Sequence, residues 1–151
     1  LGHVPVMNPS PGDEKRQCSC GQSNCLETFL SDHGLLDFAG KQFGIEADDL
    51  SSLFAAATET QMDAFYRHLH PYLLQAGITA ANLFDPATLI IGGELLEPWI
   101  GRLESEFLPE LQQTTWQGSP ARLKCYPMSS CTIRRICGFT PLVQSLVTPS
   151  S

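Results

Sequence analysis

The sequence predicts an α/β layer, in which helices pack on a parallel sheet that is incomplete within this chain, preceded by an irregular loop at the N-terminus. Three observations carry that expectation. Apolar residues recur at helical spacing from Thr60 to Leu83. A short continuous apolar run, Ala87 to Ile91, is bounded by Pro86 and by Gly92-Gly93, which is how a buried strand of a parallel sheet reads. Residues 1–25 are rich in Pro, Gly, Ser and Cys and show neither period, so this stretch needs something other than a core to fix it.

The elements follow in order. Residues 1–26 form the loop and 27–151 the α/β part. A helix is expected to start over Glu27 to Ser31, with a second beginning at Asp32 or His33 and running through Leu35 to Phe43. Ala47 to Glu59 reads as a further helix, with Asp48 or Asp49 as its acidic start. The Thr60–Leu83 stretch carries Met62, Phe65, Leu69, Leu73, Leu74, Ile78, Ala81 and Leu83 on one period, and Pro71 within it predicts a kink or a restart. After the Ala87–Ile91 strand, Glu97-Pro98-Trp99 opens a helix with proline in its first turn, continuing to about Gln113. Arg122 to Tyr126 alternates as a second strand, and 133–147 reads as the last helix.

Composition narrows the function classes. The 151 residues suffice for a compact domain with its own core, and 42% hydrophobic with 17% charged is a globular balance. A net charge of −7, with only nine Lys and Arg spread along the chain, argues against a nucleic-acid grip through this segment. Arg134-Arg135 is too short to track a groove. No apolar run approaches the roughly 18 residues that span a bilayer, so no membrane partner is expected. The opening residues lack the basic start and apolar stretch of a signal peptide. The chain opens within what reads as a functional motif, and is expected to be part of something longer.

Cysteine placement points to chemistry. Cys18, Cys20 and Cys25 are packed together, whereas Cys125, Cys131 and Cys137 are dispersed and read as small core hydrophobes. A secreted disulfide scaffold would be shorter and denser in cysteine, so a reducing cytoplasm fits better. Zinc prefers thiolate sulfur and imidazole nitrogen in a tetrahedron. Cys18-x-Cys20 puts two thiolates on one tight bend, Gly21 lets the chain return, and Cys25 supplies a third. His3 is the nearby candidate for the fourth; His33 fits less well because it should lie within helical structure. The spacing alone also admits three reduced thiols or a disulfide. His68 and His70, two residues apart on a helix, face different ways and cannot share a metal; these two and His33 read as surface or interface residues. Trp99 and Trp116 read equally as core or as oligomer contacts.

Gly2-His3 followed by Cys18-Ser19-Cys20-Gly21-Gln22-Ser23-Asn24-Cys25-Leu26-Glu27 resembles the ROK family of repressors, open reading frames and sugar kinases. That family's signature is a Glu-x-Gly-His element and then Cys-x-Cys-Gly-x-x-Gly-Cys-Leu-Glu. Ala80 to Pro86 and then Leu89-Ile90-Ile91-Gly92-Gly93 resemble its helix–strand passage ending in a double glycine. Asn24 stands where the family usually has Gly, and Asn tolerates the left-handed conformation better than most residues. The Glu of the first element would lie just before Leu1.

The resemblance implies the C-terminal lobe of an actin-like ATPase (ribonuclease H-like) fold, with a sugar or sugar phosphate held between lobes and a structural zinc on His3, Cys18, Cys20 and Cys25. His3 would bind zinc through one ring nitrogen and face a sugar hydroxyl with the other. Glu27 would accept hydrogen bonds from sugar hydroxyls; unaided, it reads as a solvated first-turn carboxylate. The family's catalytic Asp and first phosphate loop belong to its N-terminal lobe, so no catalytic residue is assigned here, and this stretch alone should not phosphorylate anything.

Kinases of the family carry a small-residue passage, roughly Gly-x-x-Gly-Ala-Ala, beside the nucleotide. Ile133 to Thr140 matches it with Arg134 in place of the first small residue and Phe139-Thr140 in place of the Ala pair. That favours the sugar-sensing part of a NagC- or Mlc-like transcriptional regulator, whose DNA contact would come through a winged helix upstream. A ROK sugar kinase using ATP and magnesium is the alternative. Gly92 and Gly93 would then lie near the adenosine, although they read equally as a strand-ending turn. The resemblance further implies a homodimer or homotetramer associating through the C-terminal lobe.

Overall fold

A computed structural model describes residues 1–13 and 15–114, together with the backbone of 124–128. The expected last helix at 133–147, with Arg134, Phe139 and Thr140, lies outside these residues, as do Trp116, Cys131 and Cys137. The chain divides into two compact units, Leu1–Ala76 and Gly77–Ser151.

In the first unit the N-terminal loop leads through a single 3-10 turn, Leu26–Thr28, to helix α1 at Asp32–Phe43. The helix expected over Glu27 to Ser31 is thus one short turn. Ser31 breaks it: its backbone is extended (φ −140°, ψ 163°), and its hydroxyl accepts the Gly34 N–H as the N-cap of α1. Gly44, in the left-handed conformation at φ 65°, ends that helix. Helix α2, Leu50–Ala56, is capped by Asp49, whose carboxylate accepts the Ser52 N–H and is held below the ordinary value by that bond. Of the two acidic starts expected, Asp49 is the one that caps.

Helix α3 runs from Glu59 to Phe84 and carries Pro71 inside it, without the expected restart. Pro71 and Arg67 both face solvent, where water can take the carbonyl that proline leaves without a donor. The buried side of its first part, with Phe65, Leu69 and Tyr72, belongs to the core of this unit. Tyr72 joins Val6, Leu26 and Phe29 in one cluster, with Val4, Leu30 and Ala76 packed around it. The Phe29 and Tyr72 rings stack with centroids 4.3 Å apart.

The second unit contains the described strands. β1, Thr88–Gly92, pairs in parallel with β2, Lys124–Met128, in a register that sets Ile90 opposite Tyr126. Both fall close to the expected runs. Between them lies a composite helix: a 3-10 stretch at Glu94–Trp99, α4 at Ile100–Arg102, a π segment at Leu103–Phe107 and α5 at Leu108–Thr114. The expected helix from Glu97 therefore starts earlier and is not uniform. Pro109 offers no N–H to the Ser105 carbonyl, and the chain widens immediately ahead of it, with the Leu108 N–H reaching back to the Leu103 carbonyl. Trp99, Leu103, Phe107 and Leu111 are buried in this unit. Among the described residues no helix is long and apolar enough to cross a membrane.

Candidate metal centre

Two stretches of main chain build the site. Residues 16–24 form a hairpin: Gln17 bridges Ser23, the Cys18 N–H donates to the Gln22 carbonyl (2.9 Å), and the Gly21 N–H donates to the Cys18 carbonyl (3.0 Å). Gly21 turns the tip at φ 86°, and Asn24 takes φ 59° where the hairpin rejoins the body. Both angles lie in the left-handed region, which Gly and Asn enter at low cost.

The opening segment, residues 2–6, then lies antiparallel to the exit of the hairpin. The Val6 N–H donates to the Asn24 carbonyl (2.7 Å), Leu26 N–H to Val4 (2.9 Å) and Glu27 N–H to Gly2 (2.9 Å), with Pro5 bridging Cys25. This register puts His3 across from Glu27 and beside the cysteines, which sequence distance alone would not place together.

The ligand atoms of His3, Cys18, Cys20 and Cys25 all lie within 4.8 Å of one another. Cys20 Sγ and Cys25 Sγ are 3.6 Å apart, and His3 Nδ1 is 3.5 Å from Cys18 Sγ. Metal–ligand bonds of about 2.3 Å to sulfur and 2.0–2.1 Å to nitrogen put the corners of a tetrahedron about 3.8 Å (S–S) and about 3.5 Å (S–N) apart. The 3.5 Å and 3.6 Å separations match those corners, and the remaining donors lie no more than 4.8 Å apart. The three thiols are free, so the disulfide reading is not what the structure holds. Cys18 and Cys25 are buried, whereas His3 and Cys20 face solvent.

Their environments differ sharply. The Cys18 thiol is drawn down to about 7, first by the Cys20 backbone N–H, with help from Cys20, His3 and Cys25. Burial, and then its thiol neighbours, push Cys25 up to about 12. Such a split is expected where several thiols compete for one small volume.

Glu27 stands at the open rim. Its Oε2 is 3.6 Å from His3 Nδ1, and both side chains are more than half exposed. Gly2 lies against this carboxylate: a Cβ there would sit 3.4 Å from Glu27 Oε2, about van der Waals contact.

A model of the ROK family matches residues 1–119. The chain belongs to the ROK family. Its fold resembles that of a solved ROK transcriptional regulator described as a homologue of the E. coli Mlc protein, at a TM-score of 0.63 and 22% identity over 84% of this chain. It also resembles a ROK hexokinase from Thermus thermophilus, at a TM-score of 0.60 and 19% identity over 83% of this chain. These likenesses show the fold, and the chain spans 33% and 40% of the lengths of those two proteins.

Of the remaining residues singled out in this ROK chain, Gly92 ends β1 and Gly93 follows at φ 130° in the second unit. His33 is exposed, as expected. His68 is not: its side chain is buried, stacked on Phe38 at 3.7 Å, with Nδ1 3.4 Å from Asp13 Oδ2. It lies on the same helical face as Phe65, Leu69 and Tyr72, a spacing that could have marked it as interior. Burial, partly offset by Asp13, holds it neutral down to about 4.

The largest feature the sequence did not disclose surrounds that histidine. Asp13, itself buried, accepts from Arg16 through Oδ1 and from the Tyr72 hydroxyl through Oδ2. Only a charged residue in an otherwise irregular loop hinted at it.

Proposed function

We propose that this chain is the sugar-binding portion of a ROK transcriptional regulator, with a structural zinc ion held by His3, Cys18, Cys20 and Cys25. The observation that supports it most is the nearness of Glu27 to His3 at the exposed rim of the four-donor cluster. With zinc on Nδ1, the Nε2 of His3 carries the proton and donates to a sugar hydroxyl oxygen, while Glu27 accepts from neighbouring hydroxyls. The metal's contribution is to fix the ring's tautomer and direction; the carboxylate supplies the charge-assisted bonds. Sugar occupancy would then bias the arrangement of the whole protein and weaken its hold on DNA, which an upstream winged helix would make.

A ROK sugar kinase is the second reading, favoured by the likeness to a hexokinase and by Gly92-Gly93 at the end of β1. Arg134 and Phe139 in the stretch where kinases carry small residues weigh against it.

Calorimetric titration of the full-length protein with hexoses, N-acetylhexosamines and their phosphates tests the sugar site. Replacing Glu27 by Gln should weaken binding about 10–100-fold, the worth of a hydrogen bond to a charged acceptor, with zinc content unchanged. Unaltered sugar affinity in that variant would remove Glu27 from the site. Sugar-dependent release of DNA by the same protein selects the regulator, and ATP-dependent phosphorylation of the bound sugar selects the kinase.

A further inference from the structure

Arg16 has two grips. Its side chain holds the body of the first unit: Nε and one terminal nitrogen donate to Asp13 Oδ1 (3.2 and 2.6 Å), and that terminal nitrogen lies 3.4 Å from Asp37 Oδ2 on α1. The other donates to the Thr28 carbonyl at 3.0 Å, and the guanidinium lies 5.0 Å above the Phe29 ring. Its main chain holds the hairpin. The Arg16 N–H donates to Asn24 Oδ1 (2.9 Å), and the Arg16 carbonyl accepts the Asn24 N–H (2.7 Å).

Asp13 is anchored from the far side. The Tyr72 hydroxyl donates to its Oδ2 at 2.9 Å and accepts the Ser10 N–H at 2.9 Å. Only 6% of Asp13 is exposed, so the pair with Arg16 is a buried, multiply bonded ion pair rather than a solvated surface contact. Removing the Asp13 carboxylate would leave Arg16 with the more distant Asp37 as its counter-charge, at 3.4 Å.

We propose that Asp13 and Arg16 are the positioning residues of the metal centre: they close the neck of the hairpin and set the distance between Cys18 and Cys25 before any ion arrives. The inference rests on the metal-binding reading above and deepens it. Cys18 follows closely on Arg16 and Cys25 directly follows Asn24, so the paired neck carries one buried thiol on each side. Metal loss therefore frees the tip from Cys18 to Ser23 while Val6, Asp13 and Arg16 stay docked. Affinity for the ion is high because little backbone has to be ordered on binding.

The test uses the full chain, wild type and Arg16→Lys, which keeps the charge and loses the planar fork. Zinc affinity is read by competition with a chromophoric chelator, and amide hydrogen exchange is followed with and without metal. Arg16→Lys should bind zinc about 10–100-fold more weakly, with the cobalt-loaded spectrum and the exchange of α1 and α3 unchanged. Metal-free wild type should keep slow exchange at Val6 and Asn24 while the tip exchanges freely. Zinc affinity within about threefold of wild type overturns the proposal, and so does a metal-free wild type in which Val6 and Asn24 exchange as fast as the tip. Should Arg16→Lys not fold, the exchange pattern of the metal-free wild type decides by itself. A wild type that binds no zinc refutes the metal reading, and slow exchange at the neck then still separates the clamp from it.

Discussion

Removing the Tyr72 hydroxyl isolates the energetic worth of the loop's anchorage. Phenylalanine at 72 keeps the ring stacked on Phe29 at 4.3 Å and keeps the buried volume. What goes is one donor to the Asp13 carboxylate and one acceptor for the Ser10 N–H, each at 2.9 Å. A bond to a charged acceptor contributes about 1.5–3 kcal/mol and a neutral one about 1 kcal/mol, so Tyr72→Phe should cost about 2–4 kcal/mol. Urea unfolding measures it, with an unchanged dependence on denaturant showing that only stability moved. The alkaline limb adds a signature. Burial raises the Tyr72 ionisation above its ordinary value of 10.0, so its contribution is complete below about pH 10 and is lost as pH rises through the higher folded value. The variant should lack that component. A loss below about 0.5 kcal/mol, no more than a surface substitution brings, would refute the claim that this hydroxyl ties the loop to α3.

Other perturbations have equally definite outcomes. Gly34→Ala places a Cβ 2.6 Å from the Thr28 carbonyl oxygen and 2.8 Å from that of Phe29; because backbone must yield, a loss of about 1–3 kcal/mol is expected in thermal or urea unfolding. His68 is neutral when folded, with its value lowered from 6.5 to about 4. Its contribution is therefore present above pH 6.5 and is lost as pH falls toward 4. Unfolding in excess chelator should show that slope, and His68→Phe should flatten it. Zinc affinity should rise with pH between 6 and 8, about tenfold per pH unit for each proton displaced, since Cys25 holds its proton to about 12 without metal. Titrations in buffers of different ionisation enthalpy count those protons.

The grouping of the four donors was more legible in the sequence than the helices around it. Cys18, Cys20 and Cys25 announce themselves because clustered thiols in a core-poor loop have few other uses, and left-handed Asn24 follows from the residue's own conformational freedom. His3 was legible as a donor type, but its place beside Cys18 depends on an antiparallel register of 2–6 against 24–27 that no local pattern encodes. The run from Thr60 to Leu83 was clear because its period persists, and Pro71 brings no restart because solvent can satisfy the Arg67 carbonyl. Composite helical geometry from Glu94 to Thr114 was not legible: prolines at 98 and 109 redirect the bonding locally without breaking the apolar stripe. The Asp13–Arg16–Tyr72 network was not legible because Tyr72 lies 59 residues from Asp13, and a charged residue in a loop ordinarily means solvent.

Cobalt titration of the metal-free protein tests the central claim most directly. Binding of one equivalent should give the intense visible bands of a tetrahedral ion together with thiolate charge-transfer absorption. Cys18→Ala, Cys20→Ala and Cys25→Ala should each abolish or markedly weaken those bands, and His3→Ala should alter them. Cobalt that stays octahedral, or a spectrum identical in wild type and the cysteine variants, would contradict a metal centre built from these four residues.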